Sequence, residues 1–554
     1  MLLIPFRNKA IGATSTWRVS VRNIYSNRLT TLAVFFLAAT AILLTSCGGS
    51  GLNTNGTSGT DGTLPLGVPI ALPSAVPGTI SGVVSNASTG TGVSGVQVTA
   101  GGVTATTNAS GIYTLSGVTP AASVLVTFDM AGYAPQARTT EAFTTASDAV
   151  LISVPIVPVA SSQTFDPTVL QTLTVPGSTA QVDLPANALV TASGAAAPAP
   201  GNVTVLMTPI AAGSNPALMP GNYMEAAPIE SFGAFDIRFF DSAGVALNLA
   251  AATTATLRIP VSTRSAARPA SIPLYYFNTA TGLWIADGTA SLVTSGSNQW
   301  YQGTVTHFTT WSSDRLYPTT VTYSGCVVDA VGAAVAGATV SADGAGYTSV
   351  VSRVTDSLGN FTLPIITSET AIVQASKDIR VSNSVSTTSA TNSTNATCLI
   401  LAGAVATRLT WGVSPSDLDS HTLGANASHV YFGSRGSLTV APFVALDVDD
   451  TTGYGPEVTT YAKLAKNTTY RFYVHNWSGT FTPGMTGSPA RVELVIGGTP
   501  RTFAPPSGEN TNAYWHVYDL SVDASCTLRL TAVQQFRSTA PANVNAAGTP
   551  TYCP

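Results

Sequence analysis

Charged side chains are scarce in this sequence of 554 residues. They make up 9% of the chain, whereas about 25% is usual for soluble proteins. The net charge is −4, and Lys and Arg cluster only near the N-terminus, so the chain lacks the basic surface that nucleic-acid binding requires. Hydrophobic residues reach 45%, which distinguishes the chain from disordered proteins.

The local motifs of common enzyme classes are also absent. The sequence has no G-x-S-x-G elbow, no H-E-x-x-H pair, no phosphate-binding loop and no dinucleotide fingerprint. A Cys/His protease would need a local nucleophile motif that the sequence does not have. A glycosidase is not excluded in this way, because its paired carboxylates have no fixed spacing in sequence. We therefore expect a non-enzymatic protein and keep a polysaccharide-active hydrolase as the alternative.

The residues that are abundant indicate an all-β protein. Thr and Val favour a pleated, half-buried surface, and 49 Gly and 34 Pro divide the chain into many short segments. At this length the chain is too long for one core, and roughly three to five domains are expected. We predict tandem β-sandwich modules that follow a signal peptide and a flexible tether.

The N-terminal segment has the pattern of an export signal. Basic residues precede an apolar run from Leu32 to Leu44, which is too short for a transmembrane helix of roughly 20 residues. The run ends in Leu44-Thr-Ser-Cys47-Gly48, which resembles the lipobox of bacterial lipoproteins. The resemblance implies that residues 1–46 are removed and that Cys47 carries the lipid. An ordinary signal peptide or a short membrane anchor is the alternative.

This resemblance also predicts the location of the protein. Gly48 stands where an Asp would retain family members at the inner membrane, so an outer-membrane or cell-surface position is expected. Two or more acyl chains give stable membrane anchoring where one would be marginal. Residues 47–78 are rich in Gly, Ser and Thr and are predicted to form the flexible tether.

Two stretches, 79–159 and 320–404, share one order of landmarks. The first contains Gly95-Val-Gln-Val98 and Asn108-Ala-Ser-Gly111-Ile-Tyr-Thr-Leu115, and the second contains Gly337-Ala-Thr-Val340 and Asp356-Ser-Leu-Gly359-Asn-Phe-Thr-Leu363. Alternating apolar residues are typical of half-buried strands, and the glycines stand where turns need a positive φ. The repeated pattern resembles the carboxypeptidase regulatory-like module, a transthyretin-type sandwich. That resemblance implies a supporting, spacing or binding role.

Residues 160–317 form a different β-rich module. Their order of landmarks is similar to the middle region of cartilage intermediate layer-type extracellular proteins. This stretch contains His307 beside Phe308 and Trp311. No nucleophile motif accompanies this histidine, so we interpret it as a packed residue at a strand end.

The C-terminal stretch, residues 405–554, concentrates acidic residues and histidines. It resembles an uncharacterised family of secreted bacterial β-sandwiches with the signature D-L-D-x-H … L-D-x-D-x-x-x-G-x-G-P-E, a family that brings no established activity. Six acids lie in two short segments: Asp417, Asp419, Asp447, Asp449, Asp450 and Glu457. Residues two apart in an extended chain point to the same side, which predicts two converging pairs, Asp417 with Asp419 and Asp447 with Asp449.

Converging carboxylates repel one another unless a cation neutralises them. Ca²⁺ takes six to eight oxygen ligands from carboxylates and loop carbonyls, and the tight Gly453-Tyr-Gly455-Pro456 turn is suited to aim carbonyls inward. We therefore predict that the six acids bind Ca²⁺. Two alternatives remain: acids that only cap turns and solubilise loops, and zinc bound through His421 with aspartates.

Four cysteines remain besides Cys47, and an even number in an exported chain indicates disulfides. We favour Cys326 with Cys398 and Cys526 with Cys553, because each of these pairs closes within one module. Two other pairings are possible.

Taken together, these features predict a non-enzymatic cell-surface lipoprotein. Its role would be structural, adhesive or ligand-binding, with a membrane as one partner and a glycan or protein ligand as another. An envelope assembly scaffold is a further alternative.

Overall fold

A computed structural model describes residues 68–70, 72–196, 203–222, 227–317, 319–451, 453–488 and 490–554. The predicted signal peptide and Cys47 lie outside these residues. Nearly all regular structure is β, and the predicted all-β fold of tandem β-sandwiches is confirmed. In the described part of the chain, no helix has the length and hydrophobicity needed to cross a membrane.

The first described strand belongs to the far end of the chain. Strand β1 (Val68–Pro69) pairs antiparallel with residues 529 and 530, and the N–H of Ile70 donates to the carbonyl of Leu528 at 2.9 Å. Ile70 and Leu72 also pack against the C-terminal core. Residues 68–70 and Leu72 therefore belong to a folded module, although they lie within the tether predicted for residues 47–78.

Two four-stranded sheets enclose the first core. Their strands are β2 (Thr79–Asn86), β3 (Gln97–Ala100), β4 (Val103–Thr106), β5 (Ile112–Ser116), β6 (Val124–Asp129), β7 (Gln136–Thr140), β8 (Ala149–Leu151) and β9 (Val154–Ile156). One sheet contains β5-β2-β8 with β9 alongside β2, and the other runs β4-β3-β6-β7. Tyr113 and Leu115 on β5 are both buried, as their alternation predicted.

A single twelve-stranded sheet follows. Its strands are β10 (Ser161–Phe165), β11 (Gln171–Thr174), β12 (Gln181–Leu184), β13 (Leu189–Thr191), β14 (Val203–Ile210), β15 (Ile229–Phe240), β16 (Ala246–Leu249), β17 (Ala255–Pro260), β18 (Ser271–Asn278), β19 (Leu283–Ser295), β20 (Asn298–Val305) and β21 (Thr310–Leu316). Strands from opposite ends of the sheet share one core, so the sheet folds back on itself. His307 packs against Tyr276 and Trp311, with ring centroids 4.5 and 5.0 Å away.

The third core is built by eight strands. They are β22 (Thr320–Asp329), β23 (Thr339–Gly344), β24 (Val350–Val354), β25 (Asn360–Ile366), β26 (Thr370–Lys377), β27 (Arg380–Thr388), β28 (Ser393–Thr394) and β29 (Leu399–Gly403). The turn before β25 repeats the turn before β5. Asp356 accepts hydrogen bonds from the N–H groups two and four residues on, as Asn108 does in the first copy, and Gly111 and Gly359 both have a φ of 77°.

Two six-stranded sheets face each other across the C-terminal core. Their strands, besides β1, are β30 (Val405–Thr410), β31 (Asp419–Leu423), β32 (His429–Val430), β33 (Gly436–Ser437), β34 (Val444–Val448), β35 (Glu457–Tyr461), β36 (Thr468–His475), β37 (Arg491–Ile496), β38 (Thr499–Phe503), β39 (Tyr514–Val522) and β40 (Leu528–Arg537). The orders are β1-β40-β39-β36-β31-β32 and β33-β34-β35-β30-β37-β38. The short helices are 3-10 turns at Pro216–Leu218 and Ala425–Ala427 and an α-helical turn, α1, at Gly484–Gly487.

Both predicted disulfides are present. Cys326 is bonded to Cys398, with Cα atoms 4.6 Å apart, and joins β22 to the residue before β29. Cys526 is bonded to Cys553, with Cα atoms 5.8 Å apart, and fixes the C-terminal segment beside the turn between β39 and β40. Each bond closes a loop within one set of sheets, as expected.

Candidate metal centre

Three of the six predicted acids meet where the two C-terminal sheets end. Asp419 begins β31 in one sheet, Glu457 begins β35 in the other, and Asp449 directly follows β34. One carboxylate oxygen from each of the three lies within 4.8 Å of the other two. The centre therefore depends on the packing of two sheets as well as on the sequence of either segment.

These carboxylates are buried without enough partners. Asp419 is 3% exposed and Glu457 is 1% exposed. Within the described part of the two acidic segments, four buried carboxylate oxygens have no hydrogen-bond partner: Oδ1 of Asp417, Oδ2 of Asp419, Oδ1 of Asp449 and Oε1 of Glu457. A buried polar atom without a partner is strongly destabilising, so the cluster is incomplete as the protein side chains arrange it.

The contacts that do exist neutralise the cluster only in part. The guanidinium of Arg435 lies 2.5 Å from Oδ2 of Asp449, but the Arg435 side chain is 51% exposed, where solvent weakens an ion pair. The N–H of Ser420 donates to Oε2 of Glu457. In the described part of the chain, one exposed guanidinium and one amide thus contact these acids directly, and Nδ1 of His475 lies 3.7 Å from Oδ2 of Asp419.

The remaining repulsion is visible in the pKa values. Burial raises the pKa of Glu457 well above its ordinary value, and the charge of Asp419 raises it further. Burial also raises the pKa of Asp417 to about 6, with Asp419, Asp449 and Asp450 adding to the effect. A bound cation would reverse this, because it favours the charged form of each carboxylate.

Asp447 does not join the centre, contrary to the sequence prediction. Its Oδ2 accepts a hydrogen bond from Oγ1 of Thr460 at 2.6 Å and another from the N–H of Ser384, on β27, at 3.0 Å. The register between β34 and β35 shifts between Leu446 and Val448, so Asp447 is the extra residue of a β-bulge. A bulge breaks the alternation of faces, and Asp447 and Asp449 therefore point to different sides.

One carbonyl of the glycine-rich turn pairs with the backbone. Gly453, Tyr454 and Gly455 have φ values of 90°, 70° and 69°, and a Cβ on Gly455 would lie 2.5 Å from the Trp411 ring. The carbonyl of Tyr454 accepts from the N–H of Trp411 at 3.2 Å. The carbonyl of Tyr454 thus pairs with the backbone at Trp411.

Acids that cap turns in this protein make a different set of contacts from the converging acids. Oδ1 of Asp523 accepts from the N–H groups of Ser525 and Thr527, each at 2.9 Å, the same pattern that Asp356 forms. Asp449 and Glu457 instead contact a side chain and an N–H from distant parts of the sequence. This difference favours a metal-binding interpretation over turn capping for the converging acids.

Histidines next to the carboxylates were only partly anticipated. His475 lies directly opposite Asp419 in the β31–β36 register, and Asp419, His421 and His475 form a second group whose ligand atoms lie within 4.8 Å of one another. Nδ1 of His421 lies 2.8 Å from Nε2 of His429. Burial lowers the pKa of His421 to about 3, and His429 and His475 contribute to the effect, so the ring is neutral.

The sequence contained one indication of this histidine group. Four of its five histidines lie beyond residue 405, and His421 was considered as a zinc ligand. His475 was missed because its position opposite Asp419 follows from strand pairing, which sequence alone does not give.

No family model and no curated protein matches this chain. Among solved structures, similarity is found to a protein of unknown function, SAV2460, at 20% identity over 25% of this chain and 91% of that one, with a TM-score of 0.21. A homologue of the telluride resistance protein TerD from Streptomyces coelicolor matches at 17% identity over 25% and 91%, with a TM-score of 0.20. The major pilin subunit BcpA of Bacillus cereus matches at 11% identity over 54% and 88%, with a TM-score of 0.12.

Proposed function

We propose that this protein is an exported, lipid-anchored surface protein without catalytic activity, and that its C-terminal module binds Ca²⁺ through Asp419, Asp449 and Glu457. Cys47 carries the lipid, and the β-sandwiches before the C-terminal module act as its support. The observation that carries the calcium proposal is the convergence of buried carboxylate oxygens that have no hydrogen-bond partner. Ca²⁺ is the common cation for an all-oxygen ligand set of this kind.

Several features support a recognition role in contact with other surfaces. Phe432 and Trp477 are 37% and 57% exposed, and their ring centroids lie 5.1 Å apart. His475, a neighbour of Asp419, lies 5.6 Å from the Trp477 ring. Exposed aromatic side chains supply large contact areas in binding sites, so this pair is suited to contact a glycan or protein ligand next to the ion.

The hydrolase alternative has less support. A glycosidase needs two carboxylates that flank the scissile bond on a cleft, about 5–10 Å apart. Here three acids converge to within 4.8 Å of one another, and two of them are almost fully buried. This arrangement suits an ion better than a sugar ring.

The test is the thermal unfolding of the full-length protein in EDTA and in millimolar Ca²⁺. An ion that binds only the native state stabilises it by about 2.7 kcal/mol at 100 times its Kd, so we expect a clear rise in Tm. Asp419→Asn should remove the rise. Asp447→Asn is the matched control, because it deletes a buried carboxylate of the same segment that faces away from the centre, and it should keep the rise.

Two outcomes would count against the calcium proposal. One is a Tm that does not respond to Ca²⁺, and the other is an equal loss of response in both variants. Mass spectrometry of the N-terminal peptide tests the lipid separately, since a diacylglyceryl group on Cys47 would be seen directly.

A further inference from the structure

A second set of ligands lies beside the carboxylates and has a different chemistry. Asp419, His421 and His475 each offer one atom to a group within 4.8 Å. Asp419 and His421 are 3% and 6% exposed, and Nδ1 of His475 lies 3.7 Å from Oδ2 of Asp419. Two imidazoles and one carboxylate form a typical ligand set for Zn²⁺.

Two atoms of this set are buried without a partner. Oδ2 of Asp419 and Nε2 of His421 have no hydrogen-bond partner. Leaving such atoms unpaired costs free energy, and a mixed nitrogen and oxygen set satisfies a d-block ion better than it satisfies calcium. The incomplete contacts therefore point to a cation that accepts both donor types.

Strand geometry holds the ligands in place. Asp419 and His421 stand two apart on β31, so their side chains share one face. The neighbouring strand β36 supplies His475 opposite Asp419. Ligands on paired strands are positioned more precisely than ligands on loops.

His429 orients the central ligand. When Nδ1 of His421 donates to Nε2 of His429 at 2.8 Å, the buried Nε2 of His421 keeps a lone pair that no hydrogen bond uses. Metal-binding histidines commonly donate their second N–H in this way, which fixes both tautomer and ring orientation. The ring of Tyr473 stacks on His421 with centroids 4.7 Å apart and holds it from the side.

We propose that Asp419, His421 and His475 form a second cation site that takes a divalent d-block ion, Zn²⁺ in the first place, beside the carboxylate centre. Ligand atoms around a tetrahedral Zn²⁺ lie roughly 3.3 Å apart. A small movement of the three side chains would therefore bring their ligand atoms to the spacing that Zn²⁺ requires. His475, whose side chain is 18% exposed, provides the approach from solvent. The two centres share Asp419, but this site does not depend on calcium binding.

The test is a calorimetric titration of the full-length protein with Zn²⁺, with and without saturating Ca²⁺, together with the visible spectrum of the Co²⁺ form. We expect one Zn²⁺ per chain and Co²⁺ bands typical of imidazole ligation. His421→Ala and His475→Ala should each weaken Zn²⁺ binding by more than about 100-fold, because loss of an outer partner alone costs 10–100-fold. His307→Ala is the control and should bind Zn²⁺ like the natural chain.

The two variants and a third substitution keep the test decisive. His475 is the more exposed ligand, so His475→Ala covers the case in which His421→Ala fails to fold, as judged by circular dichroism without metal. Glu457→Gln should lose Ca²⁺ but retain Zn²⁺. Zn²⁺ binding that is weakened by Ca²⁺ would also support the site, because both ions need Asp419.

The proposal is overturned if the natural chain does not bind Zn²⁺, or if both histidine variants bind it unchanged. If Ca²⁺ binds in that case, the proposed function stands and only this inference fails. If Zn²⁺ binds and Ca²⁺ does not, the zinc site stands and the calcium proposal fails.

Discussion

Two acidic sites in this protein are largely enclosed and differ in what surrounds them. Asp343, on β23, lies between Arg264 at 2.6 Å and Arg408, which also reaches its carboxylate. The three side chains come from three different sets of sheets and tie them together. At the candidate metal centre, Asp419 and Glu457 face other carboxylates and histidines instead.

The pKa values of the two sites shift in opposite directions. Burial opposes ionisation of Asp343, but the guanidinium groups of Arg264 and Arg408 outweigh it and lower its pKa. At Glu457 hydrogen bonds from Ser420 oppose burial only in part, and the pKa rises. Burial of an acid therefore does not by itself identify a functional site. The informative feature is a buried charge that the protein leaves without a counter-ion.

The largest expected effect comes from breaking the paired site. Asp343→Asn removes the carboxylate that Arg264 and Arg408 share, and breaking a buried ion pair in this way costs about 3–5 kcal/mol. At pH 7, the free energy of unfolding measured by urea titration should fall by about 3–5 kcal/mol. An unchanged value would show that the junction of the three sheets does not depend on this contact. The control is Asp378→Asn. Its ion-pair partner, Arg380, has a side chain that is 40% exposed.

Asp314, another buried acid, allows a test of how stability depends on pH. Asp314 is buried with hydroxyl partners only, and burial raises its pKa to about 7. The native state then holds this proton while the unfolded state releases it, so stability falls as pH rises from about 4 to about 7, by up to about 4 kcal/mol. Asp314→Asn should flatten this part of the stability profile. An identical slope in the variant would contradict the assignment.

Substitution of Glu457 in the carboxylate centre should change the free energy of unfolding in the opposite direction from substitution of Asp343. Without metal, Glu457→Gln removes a buried carboxylate that lacks a counter-ion, so the free energy of unfolding should rise or stay level. With Ca²⁺ the same change should remove a stabilisation of about 2.7 kcal/mol at 100 times the Kd. Urea titrations in EDTA and in Ca²⁺ measure both values. A loss of stability in EDTA would mean that Glu457 is already satisfied.

The smallest effect concerns the histidine that orients a ligand. His429→Phe keeps an aromatic ring beside Tyr431, whose centroid lies 4.3 Å away, but deletes the acceptor for His421. Zn²⁺ affinity should weaken about 10–100-fold, while Ca²⁺ affinity stays the same. Calorimetry with each ion in turn distinguishes the two effects. An equal loss for both ions would indicate a general disturbance of the module.

Local sequence predicted the parts of the structure that depend on near neighbours. The positive φ values at Gly95 and Gly111 and the buried alternation on β5 follow from steric limits within a few residues. The disulfides Cys326–Cys398 and Cys526–Cys553 followed from the preference for closing a loop within one module. The acidic segments were also visible, since acids are rare elsewhere.

The same local reasoning failed where strands meet. It grouped Asp447 with Asp449 because it assumed a regular strand, and the bulge at that point turns them apart. It ended the tether at residue 78, although β1 pairs with a strand more than 450 residues away. It also missed His475, which only the register with β31 places opposite Asp419.

The sequence by itself thus determined the fold class, the turn conformations and the segments that carry the acids. These depend on side-chain periodicity, backbone sterics and composition, which act over short stretches of chain. Only the tertiary structure decided which acids converge, which one pairs with arginine and which histidines stand beside them. Those outcomes depend on strand register and on the packing of separate sheets, where a shift of one residue sends a side chain to the opposite face.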